Sequence, residues 1–297
     1  MMHIALDPTH VPALVFDRSP GYWRTVASRL VRDRVAMGAL VVVVALLLMA
    51  VFGPWLAPAD PYASSMLKRL KPIGFEGHPL GTDELGRDML SRLIVGARLS
   101  LFMGIAPVVL AFFIGSFIGI TAGYAGGPLN TVMMRTIDVF YAFPSVLLAI
   151  ALSGALGAGI TNSLISLTIV FIPPIARVAE SVTTQIRSRD FVDAARASGA
   201  NAFTIVRVHV LGNVLGPIFV YSTSLIAVAM ILASGLSFLG LGVKPPEPEW
   251  GLMLNTLRTA IYVQPWIAAL PGVMIFATSI AFNLLADGLR SAMEIKQ

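Results

Sequence analysis

The chain has 297 residues, of which 56% are hydrophobic and only 12% are charged, whereas a soluble domain is about 25% charged. A soluble protein of this length could not bury so much apolar surface, so lipid must surround much of the chain. The apolar runs are long and continuous, which fits helical spans better than a β-barrel built from alternating strands of about ten residues. The net charge of +5 is explained by arginines that orient membrane loops, without nucleic acid as a partner.

Residues 1–34 are predicted to form a cytoplasmic N-terminal segment. A cleavable signal peptide has its apolar core close to the start of the chain, but the first strong apolar run here begins near Val35. Arginine clusters stay on the cytoplasmic side of a membrane. The arginines that precede this run are Arg18, Arg24, Arg29, Arg32 and Arg34.

Residues 35–297 are predicted to form an all-α, polytopic membrane domain with six spans. About 20 helical residues cross a hydrocarbon layer of ~30 Å. The predicted spans are residues 35–55, 99–122, 131–156, 164–179, 215–241 and 266–286. A second arginine-rich patch begins at the end of the fourth span and places residues 190–213 in the cytoplasm. Its members are Arg177, Arg187, Arg189, Arg196 and Arg207. The even number of crossings predicts that both termini are cytoplasmic.

Two segments are predicted to lie outside the membrane. In the first, residues 57–98, the end of the segment predicts a capped amphipathic helix with Thr82 as its N-cap. Asp83, Arg87 and Asp88 at its start fit either local ion pairs or docking of a partner, and both interpretations stay open. The second segment contains residues 242–251, where Trp250 suits the membrane interface and is a further docking candidate.

Several features within the spans predict helix packing. Gly115 and Gly119 form a G-x-x-x-G pair, which allows close helix approach. Arg135 and Asp138 lie one turn apart, which predicts a local ion pair. Pro144 is expected to kink the third span. A further kink is expected at Pro173 and Pro174, toward the cytoplasmic end of the fourth span, although interrupted helices also line some transport sites.

The predicted apolar cores carry no ionisable residue apart from the Arg135–Asp138 pair. Proton-coupled and sodium-coupled transporters keep carboxylates at this depth, so ion coupling is disfavoured. Ser237 has no base within a span, so an intramembrane hydrolase is disfavoured too. Cysteine is absent, and no metal site or catalytic residue is predicted. Energy for any transport must therefore come from outside this chain.

The cytoplasmic stretch 190–213 begins with a short predicted helix. Asp190 can cap a helix that starts at Phe191, with Asp193 as the acidic N3 residue, and Gly199 can end it in the left-handed conformation. About eight residues are too few for a helix in water, where ~12–15 are marginal. The small face of this helix therefore suits docking in the groove of another protein; that face comprises Phe191, Ala194, Ala195 and Ser198.

This stretch resembles the cytoplasmic "EAA" signature of permease subunits of binding-protein-dependent ABC importers. The resemblance rests on Asp193-Ala194-Ala195 followed by Gly199. Further blocks resemble the C-type permease of the dipeptide, oligopeptide and nickel branch: residues 81–101, Phe143-Pro144, residues 236–251 and residues 282–290. The family usually has Glu at the position of Asp193 and Pro at the position of Gly212. Since Gly and Pro both break a helix, a turn is still predicted before the fifth span.

The resemblance implies a type I ABC importer permease fold in the bacterial inner membrane. Residues 190–202 would be a coupling helix seated in a cleft of an ATPase subunit, with Asp190, Asp193, Ala194, Ala195 and Gly199 as its key residues. The implied partners are a second homologous permease, two cytoplasmic ATPase subunits, an external solute-binding protein and lipid. ATP and Mg would be bound by the ATPase subunits, so this chain needs no cofactor.

The resemblance gives di- or oligopeptides as the first choice of solute. Nickel, glutathione and an opine-like solute are alternatives, because the binding protein sets most of the selectivity. A stand-alone channel or facilitator is an alternative of a different class. It would transport without ATPase partners, and the helix after Asp190 would then have no docking role.

Overall fold

The computed structural model of the chain describes residues 22–293. Residues 1–21 of the predicted N-terminal segment, which include Arg18, and the last four residues of the predicted cytoplasmic tail lie outside this range. The α-helices are α1 (Tyr22–Arg32), α2 (Arg34–Leu56), α3 (Met89–Ala125), α4 (Gly127–Tyr141), α5 (Ser145–Leu156), α6 (Ile160–Arg187), α7 (Asp190–Ala197), α8 (Ala202–Ile205), α9 (Leu211–Phe238), α10 (Trp250–Thr256) and α11 (Pro265–Met293).

Five helical segments are long and apolar enough to span a membrane: α2, α3, α6, the run Ala202–Phe238, and α11. The bent pair of α4 and α5 supplies a sixth crossing if it is one broken span. These helices enclose two large apolar cores and a smaller one between α3, α4 and α6. Of the two large cores, one is built mainly by α3, α6 and α9, and the other by α2, α3, α10 and α11. The protein is therefore an all-α polytopic membrane protein, as the sequence predicts.

The most extensive helix packing joins α3 to α6. A methyl group on Gly119 would overlap the carbonyl oxygen of Ala176, and one on Gly115 would lie 3.0 Å from the Ile172 oxygen. Both helices can approach at these positions only because the glycines have no side chain. The G-x-x-x-G pair therefore has the packing role that the sequence predicts.

The third predicted span is sharply broken. α4 ends at Tyr141, α5 begins at Ser145, and their axes differ by 86°. Pro144 lies at the break and is the N-cap of α5. Proline lacks the N–H that would continue the helix and disfavours helical backbone at the residue before it. The expected kink at Pro144 is thus a break between two separate helices.

Two predicted helix boundaries are wrong. α3 begins at Met89, with Asp88 as its N-cap, and Thr82 instead fixes the preceding loop by accepting a hydrogen bond from the Lys71 N–H at 2.9 Å. The fourth predicted span, 164–179, is part of the longer helix α6. Pro173 and Pro174 consequently lie in the middle of that helix. Polar residues extend the helix beyond the apolar run, because only its centre needs to be apolar.

The turn predicted at Gly212 is absent. Gly212 lies in the first turn of α9, and the irregular backbone comes just before it, as a π-helical turn over Val206–Val210. The stretch TIVRVHVL is helical, as predicted. A glycine inside a helix lowers its stability by only about 1 kcal/mol relative to alanine. The helix can therefore continue through Gly212 without a turn.

Candidate functional site

The helix α7 is an eight-residue segment anchored by one apolar side chain. Val192 is fully buried and belongs to the same core cluster as Ile205 and Val210. The predicted side-chain cap by Asp190 is wrong, because the helix already begins at this residue and Arg189 occupies the N-cap position. Asp190 still places a negative charge in the first turn, where the helix dipole favours it.

The C-terminal end of α7 has the predicted glycine geometry. Gly199 has a φ of 80°. The Ala200 N–H donates to the Ala195 carbonyl at 3.1 Å, and the Gly199 N–H donates to the Arg196 carbonyl at 2.9 Å. This is the Schellman pattern, which depends on left-handed backbone that glycine adopts without strain.

The exposed face of α7 carries two carboxylates and a small side chain. Asp190, Asp193 and Ala194 are exposed, and Asp193 pairs with Arg196 at 3.0 Å along the same helix. Ala195 is half-buried and packs against the core cluster. The predicted common face of Ala194 and Ala195 is therefore wrong, since the first points outward and the second inward.

A direct structural connection joins α7 to α9. The Phe191 ring lies 6.3 Å from the ring of His209 in the π-helical turn. The end of that turn, Val210, shares the core cluster with Val192. π-helical turns are costly and often mark functional positions. A displacement of α7 would therefore act directly on the first turn of α9.

The charged residues predicted as local pairs or docking contacts are buried. Asp83 is 1% exposed, Arg87 is 5% exposed and Asp88 is 1% exposed. The Asp83 carboxylate accepts from the Arg87 Nε at 2.7 Å and from the Leu85 and Arg87 backbone N–H groups at 2.9 Å each. The local ion pair therefore exists, and these side chains shape the loop from inside.

Asp88 links the loop to the start of α3. Its carboxylate accepts from the Ser91 N–H at 2.8 Å and from the Ser91 hydroxyl at 2.6 Å. The other oxygen lies 3.0 Å from the His78 Nδ1. Together these contacts cap the helix and hold the loop against it.

Trp250 is fully buried, which contradicts its predicted place at the membrane interface. Its indole Nε1 donates to the Leu93 carbonyl at 3.0 Å, and its backbone N–H donates to the Ser100 hydroxyl at 3.0 Å. The indole N–H finds its partner inside the protein, so water or a headgroup is not needed. Trp250 therefore fastens α10 to α3.

The buried carboxyl of Glu249 is a feature that the sequence analysis missed. It is the N-cap of α10 and accepts from the Gly251 and Leu252 N–H groups, each at 2.8 Å. Burial raises the pKa of this carboxyl, and these backbone hydrogen bonds partly offset the effect. An acidic residue directly before a short apolar helix is the sequence signal for such a cap.

The two external segments form one unit. The Tyr62 hydroxyl donates to the Glu247 carboxylate at 3.0 Å, and the Arg92 guanidinium donates to the Pro61 carbonyl at 3.0 Å. Arg92 also reaches the Pro246 carbonyl at 3.4 Å. Burial, followed by the neighbouring Glu247, raises the pKa of Tyr62. Any surface offered on this side therefore combines both segments.

Charged side chains inside the spans pair differently from the prediction. Asp138 on α4 pairs with Arg177 on α6, and not with Arg135 one turn away. The prediction failed because it counted Arg177 among the arginines of the cytoplasmic patch, whereas this residue lies within α6, ten residues before the helix ends at Arg187. Glu180, a further residue of α6, accepts a hydrogen bond from the Asn130 amide at 2.8 Å.

Two cavities open along α6 and α9. The first has about 280 Å³ and lies at the break between α4 and α5. The second has about 530 Å³ and lies between α6, α9 and α11, with Asp287 and Arg290 in its lining. Tyr221 of α9 lines both cavities.

Comparison with known families gives matches along most of the chain. Residues 115–295 match the family described as the inner membrane component of binding-protein-dependent transport systems. Residues 21–72 match the N-terminal membrane domain of oligopeptide transport permease C. The first match covers more than half of the chain.

Individual relatives match nearly end to end. The chain is 39% identical to a di/tripeptide transport system permease of Pseudomonas aeruginosa over 302 residues, covering 99% of this chain and 97% of the relative. It is 39% identical to a glutathione transport system permease of Pectobacterium atrosepticum over 274 residues, covering 92% and 91%. A glutathione permease of Escherichia coli is 40% identical over 275 residues, covering 93% and 89%.

Solved structures with a similar fold are more distant in sequence. An inward-facing methionine ABC transporter chain superposes with a TM-score of 0.56 at 18% identity, covering 69% of this chain and 97% of that one. A chain of an amino acid ABC transporter crystallised with histidines gives 0.52 at 16% identity, covering 67% and 92%. At this identity the likeness concerns the fold alone, and that fold is the type I importer permease.

Proposed function

Because the chain belongs to the inner-membrane permease family of binding-protein-dependent ABC importers, we propose that it forms half of an uptake pathway for di- and oligopeptides. It is a multi-pass protein of the bacterial inner membrane and not an enzyme. ATP hydrolysis takes place in a separate ATPase subunit, and a solute-binding protein delivers the cargo.

One observation supports the peptide assignment above the other solutes. The similarity to a di/tripeptide permease extends over 99% of this chain, including both external segments. Glutathione is the second candidate, because permeases for it are 39% and 40% identical but match 92% and 93% of this chain. Glutathione is itself a tripeptide with ionised ends, so both candidates belong to one chemical class.

We assign the coupling role to α7. Its exposed carboxylates, Asp190 and Asp193, would meet basic groups at the rim of an ATPase cleft, and Ala194 would allow close approach. Val192 and the ring contact of Phe191 with His209 tie this helix to α9. ATP-driven motion of the ATPase would thereby tilt α9, and also α6, which ends three residues before α7. Alternating access follows from such rocking of packed helices.

The external unit is the proposed docking surface for the binding protein. Asp83, Arg87, Asp88 and Trp250 would act indirectly, by fixing the shape of the loops. In this arrangement both termini are cytoplasmic, and a second, homologous permease forms the other half of the pathway.

The substrate can be tested with the complete importer in proteoliposomes, with its binding protein outside and ATP inside. Labelled dipeptide, tripeptide, glutathione and nickel are offered separately and together as competitors. We expect ATP-dependent uptake of di- and tripeptides, with glutathione as a weaker competitor. Uptake of nickel or glutathione alone would refute the peptide assignment.

A matched importer with a catalytically inactive ATPase tests whether the chain is a stand-alone channel or facilitator. We expect it to bind peptide but accumulate none. Equal uptake by the dead and the active importer would mean that the chain is a facilitator and that α7 couples nothing.

A further inference from the structure

One face of the helix bundle carries two charged side chains within the membrane-spanning region. Asp138 is 33% exposed and Arg177 is 47% exposed, so neither is enclosed by this chain. Arg177 lies ten residues before the end of α6 at Arg187, which is roughly 15 Å at 1.5 Å per residue. Charged groups within a span face a protein interior or a water-filled cavity. This face of α4 and α6 therefore borders water or protein.

The first cavity lies on the same two helices, one turn further along each. Tyr141 follows Asp138 by one turn of α4, and Pro173 precedes Arg177 by one turn of α6; both line the cavity. Its other walls include Phe143, Phe171 and Leu148. An apolar cavity and a pair of opposite charges are thus placed side by side.

The size of the cavity fits a side chain. An apolar cavity of ~150 Å³ is already sufficient to bind benzene, and this one has about 280 Å³. A leucine, phenylalanine or other apolar side chain of a ligand would leave water and pack against the aromatic side chains that line the cavity. Such a transfer is favourable by ~1.5–3 kcal/mol for a fully buried side chain.

The charges match the two ends of a peptide. A guanidinium binds a carboxylate through two parallel hydrogen bonds, and a carboxylate accepts from an ammonium group. Without cargo, Arg177 and Asp138 satisfy each other. A zwitterionic peptide can replace this internal pair with two external ones, so that no charge is left without a partner at any stage.

We propose that the cavity at the α4–α5 break, together with Asp138 and Arg177, is a binding site for a zwitterionic peptide in transit. An apolar side chain enters the cavity, the carboxylate meets Arg177 and the ammonium meets Asp138. The second cavity shares Tyr221 with the first and continues toward the end that carries α7. This inference rests on the proposed function, since it assigns where the permease itself contacts its cargo.

The test uses the permease–ATPase complex in nanodiscs without the binding protein, so that only a site in the membrane subunits is measured. The probe is tritiated Leu-Leu in equilibrium dialysis, with N-acetylated, C-amidated and Gly-Gly dipeptides as unlabelled competitors. Arg177→Gln should weaken Leu-Leu binding about tenfold and leave the C-amide unchanged. Asp138→Asn should weaken Leu-Leu similarly and leave the N-acetyl peptide unchanged.

Two further variants test the cavity and the specificity of the charge effect. Tyr141→Ala should reduce the preference for Leu-Leu over Gly-Gly severalfold, because the lining becomes incomplete. Arg135→Gln removes an exposed arginine from the same helix that has no contact with Asp138, and it should change none of these affinities.

The double variant Asp138→Arg/Arg177→Asp separates binding from mere stability. It keeps the ion pair, so it should fold and melt like the wild type while Leu-Leu binding stays weak. Wild-type affinity in this variant, or equal losses for blocked and free peptides in the single variants, would overturn the proposal. Peptide uptake by the complete importer without binding in the nanodisc complex would refute this site alone, whereas absence of any peptide uptake would refute the proposed function.

Discussion

Individual side chains on the outer side of the protein hold the loops from within. Four of these side chains are buried and hydrogen-bonded to the backbone. The carboxylates of Asp83, Asp88 and Glu249 accept from backbone N–H groups, and the indole of Trp250 donates to a carbonyl. A buried carboxylate is tolerable only with such partners. A charged residue in a polar loop sequence therefore says little about exposure, because its partners are brought in by the fold.

Glu249 provides a prediction about pH. Its pKa is raised in the folded protein, so the protonated form is favoured by folding. Its contribution to stability is fully present below its ordinary pKa and is lost as the pH rises through the raised value. Glu249→Gln lacks this titration and also loses one backbone hydrogen bond, at a cost of about 1 kcal/mol. We expect the wild type to exceed the variant in stability at low pH and this difference to shrink as pH rises.

Melting temperatures of the purified protein between pH 4.5 and 8 measure this difference. Glu247→Gln, at a partly exposed position two residues earlier, is the matched control for loss of an external carboxylate. A constant gap between wild type and Glu249→Gln across this range would contradict the prediction.

At the residue scale the sequence predicts local geometry well and long-range pairing poorly. Gly199 has the predicted left-handed backbone, because that conformation depends only on its neighbours in α7. Asp138 pairs with Arg177, 39 residues away, and not with the adjacent Arg135. Spacing along one helix identifies available partners, but only helix packing decides between them.

At the scale of elements, hydrophobicity predicts that spans exist and proline predicts where one breaks. The ends of α3 and α6 extend beyond the apolar runs, because amphipathic and polar residues continue a helix after it leaves the lipid. Hydrophobicity averages cannot detect such extensions. The length of α6 matters here, since it places Arg177 ten residues before the end of the helix and therefore within the span.

The element with the sharpest mechanical prediction is α7. Gly199→Val forces a β-branched residue into left-handed backbone at a cost of ~1–3 kcal/mol. Because nothing lies within 4 Å of an added methyl group there, the effect is one of backbone and not of crowding. We expect normal insertion, a distorted end of α7, and ATP hydrolysis that no longer drives peptide uptake.

Uptake and ATP hydrolysis are measured on the same proteoliposomes to give a ratio of peptide imported to ATP consumed. Gly212→Ala is the control, since that glycine also has open space but lies within a helix. It should keep the wild-type ratio. An unchanged ratio in Gly199→Val would sink the coupling role of α7.

For the whole molecule, composition alone establishes an all-α membrane protein, and the arrangement of its helices explains the division of labour. α7 lies with the end of α6 and the start of α9 at one end of the bundle, whereas hydrogen bonds of Tyr62 and Arg92 tie both external segments together at the other. The residues of the proposed peptide site lie between these ends on four different helices, α4, α5, α6 and α9. No local sequence pattern can identify this site, because its residues are far apart in the sequence and meet only in the folded protein.

This arrangement predicts a definite orientation, which the absence of cysteine makes easy to measure. Lys244→Cys and Gln185→Cys each introduce a single thiol at an exposed position, on opposite ends of the bundle. A membrane-impermeant maleimide applied to intact spheroplasts should label Lys244→Cys, because residues 242–251 lie outside. It should label Gln185→Cys only after permeabilisation, because α6 ends in the cytoplasm beside α7. The reverse pattern would place α7 outside the cell, beyond the reach of any ATPase, and with it the coupling mechanism would fail.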